Sequence, residues 1–261
     1  MRVTFRELLN KKEKVLGVGL QKNAPELLEI YKYCGFDIVR IDLQHSENYY
    51  KEALDLLRAA EAVDLAAYVR VPSVNERDIL KLLDMGYSGI SAPCVNTVET
   101  ARDFVNYSKY PPVGKRSACP HTRAHKYDFD EDPTIYEKDN ENTVLRLAIE
   151  EAKSFEEIEQ IIDVPGYDFF GMGLHDLAIS LGIPGQIHDP RVVNMRKQAF
   201  EMAKRRGKFL TASLNAPGDI DKVADDPAIR LVELHAVYPM WLMKPLKEVR
   251  EAFENRFGKR N

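Results

Sequence analysis

Six ionisable residues carry most of the chemical content of this chain: Asp42, His45, Arg70, Asp84, Glu150 and Asp176. The segment 37–45 reads Asp-Ile-Val-Arg-Ile-Asp-Leu-Gln-His, an apolar β-type run that meets an acid at Asp42 and then a histidine at His45. Ala66-Ala67-Tyr68-Val69 ends in the same way at Arg70, and Arg146-Leu147-Ala148-Ile149 ends at Glu150. Gly171-Met172-Gly173 leads to His175 and Asp176. Each of these types has a chemical use. Two carboxylates at neighbouring strand ends suit a hard octahedral cation such as Mg²⁺ or Mn²⁺, which keeps waters and takes oxygens from a substrate. Glu150 can equally cap or pair with the helix that follows, a role open also to Glu151, and Asp176 can be an acid favoured by a helix N-terminus. Arg70 needs an anion beside it, either a substrate oxygen or a neighbouring acid. His45 titrates near neutrality without help, which suits general acid/base work, or it is a surface histidine behind a capping Asp42. Asp84 stands at a helix end, where the dipole disfavours an acid. It is either buried and holding an imidazole or an exposed charge before a Gly86 cap.

The elements that must position these groups follow from periodicity. Eight β-type runs are expected at Val15–Leu20, Asp37–Leu43, Leu65–Val71, Ser88–Ala92, Val144–Ile149, Tyr167–Met172, Lys208–Ser213 and Ile229–Leu234. Helical spacing fills the intervals, as in Glu47–Ala62, Glu76–Leu83 and Thr97–Tyr107. A last helix is expected from near Pro245, since proline suits a first helical position, to about Phe257. Eight β–α units in 261 residues imply an α/β protein with one (β/α)₈ TIM-barrel domain. A doubly wound sheet is disfavoured because no strand runs into a G-x-G-x-x-G turn. One irregular stretch, Tyr110–Asn142, interrupts the barrel between strands four and five, and a loop of such length is usually functional. In a barrel of this type the C-terminal strand ends carry the chemistry, which is where the acids, Arg70 and His45 fall.

Composition narrows the function classes. With 44% hydrophobic and 30% charged residues the chain can build a full core. A net charge of −4 argues against a nucleic-acid binder that works by phosphate neutralisation. No apolar run approaches the roughly 20 residues of a membrane span. The acid in Met-Arg-Val-Thr-Phe-Arg-Glu argues against a signal peptide, so the chain reads as cytoplasmic. Cys34, Cys94 and Cys119 are too scattered for a disulfide framework or a cysteine zinc site. Cys94 could line a pocket or be a small, partly buried thiol.

The ordered motifs resemble the HpcH/HpaI aldolase family. The resemblance is carried by Gly35-Phe36-Asp37 through Asp42-Leu43-Gln44-His45, Val69-Arg70-Val71-Pro72, Leu83-Asp84-Met85-Gly86, Pro93-Cys94-Val95-Asn96, Tyr110–Arg116, Ile149-Glu150, Gly173–Leu177 and Ser180–Gln186. It implies a metal-dependent class II pyruvate aldolase on a phosphoenolpyruvate/pyruvate-type barrel, cytoplasmic and hexameric, with the last helix exchanged between subunits. It further implies that Glu150 and Asp176 hold a divalent metal (Mg²⁺ or Mn²⁺, with Co²⁺ also compatible). The backbone at His175 and Asp176 would bind the pyruvate carboxylate, and Arg70 would stabilise the enolate oxygen. His45 paired with Asp84 would move the proton of the aldol hydroxyl. The partners implied are pyruvate and an aldehyde. The chain departs from the family at Ala148, where a substrate-touching Gln is usual, at Gln44, where Glu is usual, and at His175, where a small or apolar residue is usual. Arg123, in the Ser117–Asp130 loop with His121, His125 and Tyr127, could bind a distal acceptor carboxylate or be part of a solvated basic loop. The expected reaction is cleavage or formation of 4-hydroxy-2-oxo acids through a pyruvate enolate. Alternatives are a decarboxylase or synthase using the same enolate, or a non-catalytic ligand-binding barrel.

Overall fold

A computed structural model describes residues 3–128, 132–234 and 237–258. The element order is α1 (Phe5–Lys11), β1 (Val15–Leu20), α2 (Pro25–Tyr33), β2 (Ile38–Asp42), α3 (Tyr50–Ala62), β3 (Ala66–Arg70), α4 (Glu76–Met85), β4 (Gly89–Ala92), α5 (Val98–Ser108), α6 (Ile135–Asn142), β5 (Val144–Ile149), α7 (Ile158–Asp163), β6 (Phe169–Met172), α8 (Leu174–Ser180), α9 (Pro190–Arg205), β7 (Phe209–Leu214), β8 (Ile229–Leu234) and α10 (Val237–Phe257). The strands pair in parallel, each with the next, and β8 closes on β1 with Gly17 beside Glu233. The result is the (β/α)₈ barrel expected from the sequence.

Strand alternation sorts the side chains into two environments. On β2, Val39 and Ile41 face outward and pack with Leu56, Leu57 and Leu82 of the surrounding helices. Ile38, Arg40 and Asp42 face the interior. The floor of the barrel is apolar. There α1 inserts Phe5, Leu8 and Leu9 against Val15, Ile38, Val144, Phe169 and Leu231. The Phe5 ring lies 5.3 Å from that of Tyr68 and 5.6 Å from that of Phe169. A capping box between Thr4 and Glu7 fixes the start of α1, so the plug is held in register with the barrel. With the floor closed, access is from the C-terminal strand ends.

Above the floor the interior turns polar. Arg40 and Glu233, 3% and 0% exposed, form an ion pair with Nε 3.0 Å from Oε1. The Tyr68 hydroxyl donates to the same carboxylate at 2.7 Å. Arg146 donates to Ser91 Oγ at 2.7 Å and Thr211 Oγ1 at 3.1 Å. Two glycines make room: a Cβ at Gly19 would lie 3.0 Å from Arg40 Nη2, and one at Gly171 would lie 3.0 Å from Arg146 Nη2.

Two expectations are corrected. The last helix begins at Val237 and carries Pro245 inside it. The proline forgoes one backbone hydrogen bond, and the helix formers Leu242, Met243 and Lys244 ahead of it sustain the helix. The stretch 110–142 is not irregular throughout, since its end folds as α6; Phe129, Asp130 and Glu131 lie outside the described residues. No described helix is long and apolar enough to cross a membrane.

Candidate active site

At the mouth of the barrel the β2–β3 register places Asp42 directly beside Arg70. Arg70 Nε donates to Asp42 Oδ1 at 2.9 Å and its Nη2 donates to Oδ2, a two-pronged ion pair. The anion that Arg70 requires is therefore supplied, at least in part, by its own barrel. Asp42 also accepts the backbone N–H of Gln44 at 3.0 Å and of His45 at 3.3 Å, which fixes the turn that presents His45. Burial pushes the Asp42 carboxyl upward, but the Arg70 hydrogen bond and the charges of Arg70 and Arg40 outweigh it and hold it down at about 2. Asp42 is thus a permanent anion with its oxygens committed, and it positions its neighbours rather than carrying protons. A depressed folded-state pKa stabilises the fold above the ordinary value of 3.8 and ceases to do so as pH falls through about 2. The pH-dependent part of the stability lost in Asp42→Asn is expected to be about 2 kcal/mol near neutrality. It should shrink as pH is lowered from about 4 toward about 2 in urea-unfolding series.

Arg146 and Ala148 on β5, and Glu150 just past its end, follow at alternate positions along the interior face. Glu150 is 7% exposed. Its N–H donates to Asn96 Oδ1 at 2.9 Å, and Oε2 accepts from the Cys94 thiol at 2.9 Å. Asn96 also accepts from Ser154 at 3.1 Å, so it braces the strand end that carries the acid. The Glu150 side chain lies over Gly173, where a Cβ would sit 2.8 Å from Glu150 Cγ. Asp176 stands in the first turn of α8, exposed, next to the exposed His175. Among the described residues neither Glu150 nor Asp176 has an ion-pair partner. Both act on the Cys94 thiol, which is pushed up to about 12. Burial is the largest cause, and the three carboxylates add to it in the order Glu150, Asp176, Glu151. Gln44 Nε2 reaches Cys94 Sγ at 3.8 Å, so Gln44, Cys94 and Glu150 form one chain of contacts across the mouth.

No group of three or more His, Cys, Asp and Glu side chains able to hold a metal occurs among the described residues. The protein's own contribution is therefore the two carboxylates. Two hard oxygen donors without a cation beside them fit a divalent ion that completes its shell with water and substrate oxygens.

The His45–Asp84 pair does not form within the chain. His45 follows the C-terminal end of β2, at the mouth. Asp84 lies at the C-terminal end of α4, which returns the chain to the opposite, floor side of the barrel. There it accepts from Arg116 Nη2 at 2.7 Å, and Arg116 in turn lies 3.5 Å from Asp139 and stacks on Tyr110 at 4.5 Å. Asp84 is thus neither a buried imidazole holder nor an unpartnered charge, but one arm of an ion-pair network. The loop after α5 belongs to the same face. Arg123 is bound by Glu61, at 3.2 Å for one of its two contacts, and donates to the Met85 carbonyl at 2.8 Å. Within one chain it therefore does not reach an acceptor at the mouth. The imidazole of His45 is exposed and has no hydrogen-bond partner among the described residues.

A sequence profile described as HpcH/HpaI aldolase/citrate lyase matches residues 16–225. A hydroxypyruvate/pyruvate aldolase from Sagittula stellata is 32% identical over 204 residues, 78% of this chain and 79% of that protein. Among solved structures, an HpcH/HpaI aldolase from Desulfitobacterium hafniense superposes with a TM-score of 0.85 at 25% identity, covering 95% of this chain and 98% of the other. A citrate synthase, SbnG, superposes with a TM-score of 0.83 at 30% identity, covering 96% and 99%.

Proposed function

This chain belongs to the HpcH/HpaI aldolase/citrate lyase family, and from that premise we propose that it is a divalent-metal-dependent lyase that cleaves or forms 4-hydroxy-2-oxo acids through a pyruvate enolate. The observation that carries the reading is the pair Glu150 and Asp176, two acids without a cationic partner among the described residues, facing a mouth on which Arg70 is held by Asp42. Glu150 and Asp176 would hold Mg²⁺, Mn²⁺ or Co²⁺. Such an ion, when bound, acts as a Lewis acid that lowers the barrier to enolate formation and gathers the reacting oxygens. The chain's own groups supply the rest. The backbone at His175 and Asp176, opening α8, binds the pyruvate carboxylate. Arg70, oriented by Asp42, places its guanidinium against the oxygen on which charge develops during enolisation. His45, on the turn anchored by Asp42, takes the proton of the aldol hydroxyl in cleavage and returns it in synthesis.

If His45 is to be paired with Asp84, the two must come from different chains, because one chain places them at opposite ends of its barrel. The outer surface supports assembly. On α10, Leu242, Met243, Leu246, Val249 and Phe257 are all about half exposed or more, a continuous apolar face. A second copy of this chain is the proposed cover, with a hexamer as the assembly. Light scattering should give about six times 29.8 kDa, and a chain truncated before α10 should fall to a smaller species.

The function is tested by supplying a panel of 4-hydroxy-2-oxo acids with Mg²⁺ or Mn²⁺ and detecting released pyruvate. Cleavage that stops with a chelator and returns with added metal supports the reading. Oxaloacetate decarboxylation, or condensation without any aldol cleavage, would instead favour the decarboxylase or synthase alternative. The likeness to a citrate synthase, together with Ala148 where the family usually has Gln, keeps that second reading in view.

A further inference from the structure

The carboxylate of Glu150 has two oxygens, and the fold treats them differently. Oε2 accepts from the Cys94 thiol at 2.9 Å. Oε1 lies over Gly173, where a Cβ would sit 3.1 Å from it. Gly173 caps the start of α8, whose first turn carries Asp176. One oxygen is thus held by sulfur, and the other faces the helix that brings the second acid.

The approach of Cys94 to Glu150 is built into the backbone. The turn after β4 is stitched to the end of β5 twice. The Val95 N–H donates to the Ala148 carbonyl at 2.9 Å, and Asn96 Oδ1 accepts the Glu150 N–H at 2.9 Å. Cys94 stands immediately before these two anchors, at a φ of +52°. Gln44, just past β2, reaches the same sulfur with Nε2 at 3.8 Å. Among the described residues that sulfur is the only hydrogen-bond partner of the Gln44 side chain, whose Oε1 is buried and unbonded. An amide N–H can only donate, so the sulfur accepts from Gln44 and directs its own proton to Glu150. The contacts form one directed chain, from amide to thiol to carboxylate. Among the described residues Cys94 does not join Glu150 and Asp176 as a third metal donor.

The number of oxygens a carboxylate offers matters to a cation. Ca²⁺ accepts both oxygens of one carboxylate within a large, flexible shell. Mg²⁺ requires a small, regular octahedron, and Mn²⁺ suits the same oxygen set. We propose that Cys94, oriented by Gln44, occupies Glu150 Oε2 so that Glu150 offers a cation one oxygen only, which favours a small octahedral ion and penalises Ca²⁺. Both residues act through Glu150 and are positioning residues. This inference rests on the reading of Glu150 and Asp176 as the metal pair.

The test is direct binding to the metal-free protein, of Mn²⁺ by electron paramagnetic resonance of the free ion and of Ca²⁺ by competition against it. The readout is the ratio of the two dissociation constants. Groups that hold a metal ligand in place are worth about tenfold or more in affinity, so Cys94→Ala should shift the ratio toward Ca²⁺ by about tenfold. Cys94→Ser keeps a donor at the same place and should retain the preference for Mn²⁺. Gln44→Glu puts an acceptor against the sulfur, where it competes with Glu150 for the one thiol proton, so its ratio should move in the direction of Cys94→Ala. The added charge tightens both ions and leaves the ratio as the measure. An unchanged ratio in Cys94→Ala overturns the proposal. So does a sulfur-to-cobalt charge-transfer band, seen on adding Co²⁺ and abolished in Cys94→Ala, since the thiol is then itself a ligand. Glu150→Gln tells the two levels apart. If it abolishes Mn²⁺ binding while Cys94→Ala leaves the ratio unchanged, the metal pair stands and the selecting role falls. If wild type and Glu150→Gln bind Mn²⁺ equally, or neither binds it, both fall.

Discussion

Arg70→Ala is expected to lower kcat/KM for aldol cleavage about a thousandfold, the scale seen when a preorganised donor to a developing oxyanion is removed. Three features of the fold lead to that figure. Arg70 ends β3 at the mouth, its guanidinium is mostly buried, and two hydrogen bonds to Asp42 fix its plane. A group so held needs no reorganisation when charge develops beside it, which is the condition under which a cation acts most strongly. Arg70→Lys keeps the charge but not the two-pronged geometry, so an intermediate loss is expected. Arg70→Ala also strands the buried Asp42 carboxylate, and a fall in stability could be mistaken for a catalytic effect. The double variant Asp42→Asn/Arg70→Ala separates the two. It should regain stability relative to Arg70→Ala in urea unfolding while its kcat/KM stays at the low level.

The largest stability effect is expected at Glu233, remote from the substrate. Its carboxylate is fully buried, pairs with Arg40 and accepts from Tyr68. Glu233→Leu leaves the Arg40 guanidinium in the barrel interior without its acid, and breaking a buried pair from one side costs about 3–5 kcal/mol. Arg40→Leu/Glu233→Leu removes both charges and should recover most of that loss. The coupling between the two positions, read from a double-mutant cycle in urea, is therefore expected to be large and favourable. If Glu233→Leu proves as stable as wild type, the interior pair is not a structural element of the barrel.

The fold was legible because its strands are short apolar runs of regular spacing, and all eight expected runs overlap the strands that form. Strand ends were legible for the same reason: Asp42, Arg70 and Glu150 each terminate an apolar run, and the β2–β3 register then puts Asp42 beside Arg70. What escaped was whatever depends on the third dimension. The resemblance implies a pairing of Asp84 with His45, yet a helix that follows a strand runs back toward the floor, so the end of α4 meets the end of β2 only if the two belong to different chains. Arg123 follows the same rule: the loop after α5 begins on the floor side, where Arg123 meets Glu61 and the Met85 carbonyl of its own chain. The interior charges do leave a signal in the sequence. Arg40, Arg146 and Glu233 interrupt otherwise apolar strands at inward-facing positions, and Gly19 and Gly171 supply the space two of them need. Cys94 reads from sequence as a pocket-lining or a small, partly buried thiol, and in the structure the residue is exposed. Its hydrogen bond to Glu150 depends on the turn after β4, where Cys94 adopts a φ of +52°, a conformation that sequence pattern does not announce.

The central claim is that Glu150 and Asp176 define a site that enolises pyruvate. The most direct measurement is the exchange of pyruvate methyl protons in D₂O with Mg²⁺ or Mn²⁺, followed by NMR for wild type and Glu150→Gln. Exchange in wild type that is lost with a chelator, and that falls at least about a hundredfold in Glu150→Gln, is the predicted result. Exchange at equal rates in Glu150→Gln, or none in wild type with metal present, would contradict it.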